Sequence, residues 1–193
     1  MGTNIKLVEN PPRPLSVHPH KFALWLFIVS IIMIFASLTS AFIVKQGEGS
    51  WLEYNLPGMF WYTTAIIMVS SVLLQWAYFA ARDNQFQKLS ILVGMTTMLG
   101  LLFLVGQWIS WGQLVDMGVY FVGNPAGSFV YVLTGLHAFH LISGLIFLVV
   151  VLVSSLKHKI YSGNMVRMEM CVTYWHFLGA LWVYLFLFLI FYH

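Results

Sequence analysis

Three histidines lie within long apolar stretches of this chain. His137 and His140 fall in Thr134-Gly135-Leu136-His137-Ala138-Phe139-His140-Leu141-Ile142-Ser143-Gly144, and His176 falls in Thr173-Tyr174-Trp175-His176. An imidazole so placed can be a haem axial ligand, a metal ligand, or a structural group whose two ring nitrogens must be satisfied inside the fold. A bis-histidine haem needs imidazoles on opposite faces of one iron. His137 and His140 are three residues apart and share, with Gly144, an arc of about 60° on one helix, so they cannot supply both. Each would need a further histidine at matching depth, and only His176 remains. A non-haem site would require all three imidazoles to converge without help from a thiolate or carboxylate. The spacing favours structural histidines on inward-facing surfaces, with ligation as the alternative.

The acidic residues narrow the chemistry further. All six, Glu9, Glu48, Glu53, Asp83, Asp116 and Glu169, fall before, between or at the ends of the apolar runs. A proton relay or ion-coupled transporter calls for a titratable carboxylate at depth, and none is placed there. No Lys or Arg lies at depth either, which argues against voltage sensing and transport of charged substrates. The single cysteine, Cys171, excludes an intrachain disulfide framework and any Cys-based zinc or iron–sulfur site within the chain. Nothing resembles an activated nucleophile, an acid–base pair or a cofactor motif, so catalysis by this chain alone is not expected.

The elements that must position these groups follow from composition. Of 193 residues, 60% are hydrophobic and 8% charged, and the mean hydropathy is +0.85. Nine basic and six acidic residues cannot clothe a soluble globule, so most of the outer surface must face lipid. A net charge of +3 is too small and too scattered to argue for nucleic acid.

Five apolar runs, about 22–44, 59–81, 89–111, 128–156 and 170–192, each exceed the roughly 20 residues that a helix needs to cross hydrocarbon. They lack strand-like alternation, so they satisfy their backbone as helices. The expected fold is an all-α integral membrane protein, with residues 22–193 forming one bundle of five transmembrane helices. Residues 1–21 are polar and carry Pro11, Pro12, Pro14 and Pro19, which suits an extended cytoplasmic arm and not a cleavable signal peptide.

Lys6, Arg13, Lys21, Arg82, Lys88, Lys157, Lys159 and Arg167 fall on one side of such a bundle, and Lys45 alone on the other. That asymmetry places the N-terminus in the cytoplasm and His193 on the outer side. The short connection at 82–88 makes the second and third helices antiparallel neighbours. Trp51, Tyr54, Trp61, Trp111 and Tyr120 gather at the outer ends, as interfacial aromatics do. Ser30, Ser37 and Ala41 share a face of the first helix, and Thr64, Ser71 and Gln75 one of the second. Such stripes let helices approach and bond across their contact, and Glu169 can do the same at the head of the fifth. Gly94, Gly100, Gly106, Gly112 and Gly118 recur every six residues, about 240° per step, which spirals round the helix and reads as coincidence with local packing.

Taken in order, these residues resemble subunit III of the haem-copper respiratory oxidases. The resemblance runs from His18 nearly to the C-terminus. It begins with His18-Pro19, Phe22-Ala23-Leu24-Trp25-Leu26-Phe27, Ser30, Met33 and Phe35-Ala36. Thr63-Thr64, Ser70-Ser71 and Gly106-Gln107-Trp108-Ile109-Ser110-Trp111 follow. Phe129 to Gly144, with its two histidines, is the most specific stretch, and Glu169 and Tyr174-Trp175-His176-Phe177 complete the set.

The resemblance implies a short bacterial five-helix form in the cytoplasmic membrane that carries no redox centre. It would flank a catalytic subunit I holding the haems and copper, alongside other oxidase subunits and, as the outermost partner considered, a respiratory supercomplex. It further implies bound phospholipid in a cleft, stabilisation of subunit I during turnover, and assistance to proton uptake. Lys21, His137, His140, Lys157, Trp175 and His176 are the lipid or cleft candidates by position. A quinol oxidase subunit III and, more remotely, a small haem-binding carrier are the alternatives. The chain departs from the family pattern at Ile31, Ser110 and Gly179, where the family often carries carboxylates. The expected role is therefore support and lipid organisation.

Overall fold

Hydrocarbon offers a backbone N–H or C=O no partner, so each apolar run must close its own hydrogen-bond ladder. In the computed structural model, which describes residues 18–49, 51, 54, 56–157, 160 and 165–192, they do so as five α-helices: α1 Pro19–Gln46, α2 Met59–Arg82, α3 Phe86–Asp116, α4 Pro125–Leu156 and α5 Val166–Tyr192. All five are long and apolar enough to cross a membrane, and no strand occurs among the described residues. Residues 1–17 of the expected arm, and with them Lys6 and Arg13, lie outside the described residues, as do Glu53, Lys159 and His193.

The helices overrun the apolar stretches, because a helix continues until something stops it. α1 begins at Pro19 and so takes residues 19–21 from the expected arm; a proline at the first turn forfeits no intrahelical bond. α4 likewise starts at Pro125, capped by Asn124, whose side-chain oxygen accepts from the Ala126 N–H at 2.9 Å.

The ends of α2 and α3 are closed by left-handed residues. At Asn84 (φ 55°), the N–H of Gln85 reaches Ala80 O at 2.9 Å and that of Asn84 reaches Ala81 O at 3.2 Å. At Gly118 (φ 79°), Val119 N–H reaches Leu114 O at 2.9 Å and Gly118 N–H reaches Val115 O at 3.0 Å. Both are Schellman endings, which satisfy carbonyls the helix would otherwise leave open. The first of them leaves only a three-residue turn between α2 and α3, which pack as the neighbours that the short connection demands.

α2, α3, α4 and α5 contact one another in a closed ring, and α1 lies outside it, in the groove between α4 and α5. Two tryptophans of α5 fill the ring: Trp175 and Trp182 are at most 1% exposed. Room for Trp175 comes from two glycines. A Cβ at Gly100 would stand 2.7 Å from Trp175 Cη2 and 2.6 Å from Leu145 Cδ2, and one at Gly144 would stand 2.8 Å from Leu178 Cδ1. Of the six-residue glycine series, Gly100 and Gly106 meet neighbours closely, Gly94 only at van der Waals distance, and Gly112 and Gly118 meet nothing within 4 Å. The regular period thus has no common structural cause.

At the end where α1, α3 and α5 meet the connections, Trp51 packs against Phe42 with ring centroids 4.7 Å apart, and Tyr54 is buried, which pushes its phenol above the ordinary pKa. Trp61 and Tyr120 remain exposed there. The expected aromatic belt is thus divided between packing and surface.

Adding one methyl group at Gly100 forces Leu145 and Trp175 apart and should cost about 1–3 kcal/mol. Gly112→Ala meets open space and should be neutral or stabilise by up to about 1 kcal/mol through helix propensity. Thermal unfolding of the two variants in detergent measures this difference; equal midpoints would contradict the packing described.

Candidate functional site

A buried indole needs a partner for its N–H. In the ring, Trp175 Nε1 donates to Ser70 Oγ and Trp182 Nε1 donates to Thr64 Oγ1, each at 3.0 Å, so α5 is bonded twice to α2. One helix over, Gln107 Nε2 donates to Thr63 Oγ1 at 3.3 Å, and Trp111 Nε1 donates to Thr134 Oγ1 at 3.0 Å, tying α3 to α2 and to α4. His137 lies among these groups with no exposed surface, its ring centroid 5.2 Å from that of Trp182 and 6.0 Å from that of Phe103. Neither ring nitrogen has a hydrogen-bond partner among the described residues, and neither does Gln107 Oε1. The expectation that each buried imidazole is satisfied fails at His137, because aromatic rings cover it on two sides.

His140 points away from the ring, towards α1. Its Nδ1–H donates to Leu136 O at 2.7 Å, and its ring sits 5.9 Å from Phe35 and 6.3 Å from Phe27. Beside it, Ser143 Oγ and Tyr174 Oη are 2.7 Å apart, joining α4 to α5. α1 is bonded by Thr39 Oγ1 to Tyr184 Oη at 3.1 Å, a contact that no sequence pattern singled out.

The Ser30, Ser37 and Ala41 stripe, expected to make that contact, faces outward instead; Ser30 Oγ donates to Phe27 O of its own helix. A hydroxyl that can bond its own helix gives no direction to the face. The α2 stripe faces α5. Thr64 accepts from Trp182, Gln75 Oε1 lies 3.1 Å from His176 Nε2, and Ser71 Oγ is 3.1 Å from the position of a Cβ on Gly179.

Charged groups collect at one end. Lys21 of α1 pairs with Glu169 in the first turn of α5, where an acid also suits the helix dipole. This pair, with Leu24, Trp25, Met170 and Thr173, lines a groove of about 310 Å³. A second groove of about 530 Å³ adjoins it at Met170, lined by His18, His20, Phe147, Val150, Val166 and Arg167. Lys157 is exposed at the foot of α4, at the same end. Among the six cleft candidates, Lys21 and Lys157 therefore stand at the surface and His176 at a half-buried seam. His137 and Trp175 are enclosed in the ring, and His140 is enclosed between α1 and α4. Lipid cannot reach a side chain shut inside the ring.

The arrangement does not fit a haem or a metal ion held by these histidines. The three imidazoles face the ring interior, α1 and the α2–α5 seam respectively, and no group of three His, Cys, Asp or Glu capable of holding a metal occurs among the described residues. The three positions at which the resemblance implies carboxylates are all buried: Ile31 at 1% exposure, Gly179, and Ser110, whose Oγ donates to Gly106 O at 2.8 Å.

The sequence profile of the family described as Cytochrome c oxidase subunit III matches residues 54–193, from the connection before α2 through α5. The chain belongs to the cytochrome c oxidase subunit III family. Among its relatives, a Cytochrome c oxidase subunit 3 of Corynebacterium diphtheriae is 31% identical over 169 residues, covering 83% of this chain and 82% of that protein. One from Synechocystis sp. is 32% identical over 181 residues, 88% of this chain and 75% of that protein. One from Mus musculus is 27% identical over 185 residues, 86% of this chain and 67% of that protein. As a subunit III, the chain is a multi-pass membrane protein and a component of a haem-copper oxidase, with the other oxidase subunits as its partners.

The unpartnered imidazole at His137 carries a desolvation cost of about 1–3 kcal/mol. His137→Leu should therefore leave the thermal midpoint unchanged or raise it. Trp182→Phe removes a bonded indole and should lower stability by about 1–3 kcal/mol. A loss for His137→Leu as large as that for Trp182→Phe would mean that the imidazole is bonded after all.

Proposed function

We propose that this chain is the non-catalytic supporting subunit of its oxidase, seated against subunit I in a bacterial cytoplasmic membrane with its N-terminus inside. Haem and copper reside in the partner subunits, and this chain holds its bundle as a rigid apolar wall. The observation that carries the reading is the bundle interior. Ile31, Ser110 and Gly179 occupy buried positions where a relay would need carboxylates, and two of the three intramembrane imidazoles are held among aromatic rings. A proton cannot be gained and lost repeatedly at a neutral group sealed from water.

The charged end suits phospholipid. Grooves with apolar floors and a rim of Lys21, Arg167 and the two histidines His18 and His20 match acyl chains below an anionic headgroup. Glu169 already engages Lys21, so the cations of this end outside that pair include Arg167, which lines the second groove, and the exposed Lys157 at the foot of α4. Relatives named for cytochrome c oxidase favour cytochrome c over quinol as the electron donor of the assembled enzyme.

In the assembled oxidase, replacing His137, His140 and His176 together by Gln should leave the proton-to-electron ratio unchanged while shortening the number of turnovers before inactivation. A collapsed ratio with assembly and turnover lifetime intact would overturn the supporting role. Arg167→Gln with Lys157→Gln should reduce co-purified anionic phospholipid, measured by mass spectrometry, with no change in initial turnover rate. Undiminished lipid would remove these cations from the headgroup site.

A further inference from the structure

Inside the ring and beneath α1, most polar side chains bond inward or to their own helix. The pair His176–Gln75 does neither completely. It lies on the outer edge of the α2–α5 contact, with both residues half-buried and His176 Nε2 3.1 Å from Gln75 Oε1. The amide oxygen can only accept, so Nε2 carries the imidazole proton and Nδ1 is left as a bare acceptor. Gln75 Nε2 keeps two N–H donors. None of these has a hydrogen-bond partner among the described residues.

Depth makes this consequential. At about 1.5 Å per residue, Gln75 is roughly 10 Å from the end of α2 at Arg82, and His176 roughly 15 Å from the start of α5 at Val166. Headgroups do not reach that far, and acyl chains offer neither donor nor acceptor. The outward serines of α1 differ, because a hydroxyl can turn back to its own helix, as Ser30 does onto Phe27 O. His176 Nδ1 and the Gln75 amide N–H groups make no such bond to their own helices. The outer face of α3 differs too: Ile91, Met95, Met98, Leu101, Leu102 and Val105 present an apolar strip, as a lipid-facing helix should. Beside the polar pair, Val72, Trp76 and Phe79 are exposed and form an apolar wall against which a helix can lie.

We infer that the α2–α5 seam is the docking surface for a transmembrane helix of another oxidase subunit, whose hydroxyl or amide side chain hydrogen-bonds to His176 Nδ1 and the Gln75 amide. This rests on the reading that the chain works inside an oxidase assembly, and adds which face meets the partner. Interhelical polar contacts are the usual adhesive where burial from lipid gives no hydrophobic gain.

The test uses the assembled oxidase with a photo-cross-linking residue in place of Val72 or Trp76, and separately of Met98 on α3. Illumination should join the chain to another oxidase subunit from Val72 or Trp76 and not from Met98. Protein adducts from Met98 with none from the two α2 positions would overturn the inference. As a second measure, His176→Leu with Gln75→Leu keeps the helices apolar and insertable. It should lower the fraction of oxidase retaining this chain after a detergent wash by about fivefold to tenfold; retention equal to that of the unaltered chain would also overturn the inference. If the unaltered chain purified without any haem-bearing partner, the underlying reading would fall instead, and the two failures are distinguishable.

Discussion

The bundle depends on how two indole N–H groups are satisfied where there is no water. Trp175 and Trp182 enter the ring from α5, and each finds a hydroxyl on α2, Ser70 and Thr64, at 3.0 Å. Apolar burial gives no net gain when the alternative environment is lipid, so helix association must come from packing and from bonds of this kind. The rest of the ring accommodates the two indoles. α3 and α4 supply Gly100 and Gly144 where Trp175 needs space, and Phe60 and Phe103 lie around Trp182 with centroids 5.7 and 5.0 Å away. α1 then rests on the closed ring through Phe35, Phe42 and the Thr39–Tyr184 bond.

This arrangement explains why the three intramembrane histidines do not converge on one another. A ligand set needs convergence, and each imidazole is drawn to a different neighbour. His137 packs among the aromatics of the ring, His140 bonds Leu136 O under α1, and His176 bonds Gln75 on the outer seam. His137 and Gln107 together leave buried polar atoms unpartnered among the described residues, which a chain shaped only for stability would not retain. Ile31, Ser110 and Gly179 are buried and bring no carboxylate into the interior. Such an interior suits the supporting role proposed for the chain.

Much of this is legible in the amino-acid sequence. Composition and run length sufficed for five spanning helices, the short 82–88 connection for the α2–α3 pairing, and the motif order for the family. The stripe of Thr64, Ser71 and Gln75 marked a face of α2 able to bond across a helix contact, and only the structure shows that the helix it meets is α5. The serines of α1 carried no such obligation, and that stripe faces outward. The Gly100 and Gly106 positions could not be told from Gly112 by spacing, since only the neighbours on other helices decide whether a Cβ has room.

Few charges and long apolar runs are one-dimensional properties, and hydrocarbon thickness with backbone hydrogen bonding converts them directly into five helices. Sequence order also carried the family, because its motifs lie in order along those helices. Which way each helix is turned, and so whether His137, His140 and His176 meet or part, is set by contacts between residues as far apart as Ser70 and Trp175. Those contacts depend on the shapes of facing helix surfaces, and no local pattern in a uniformly apolar run encodes them.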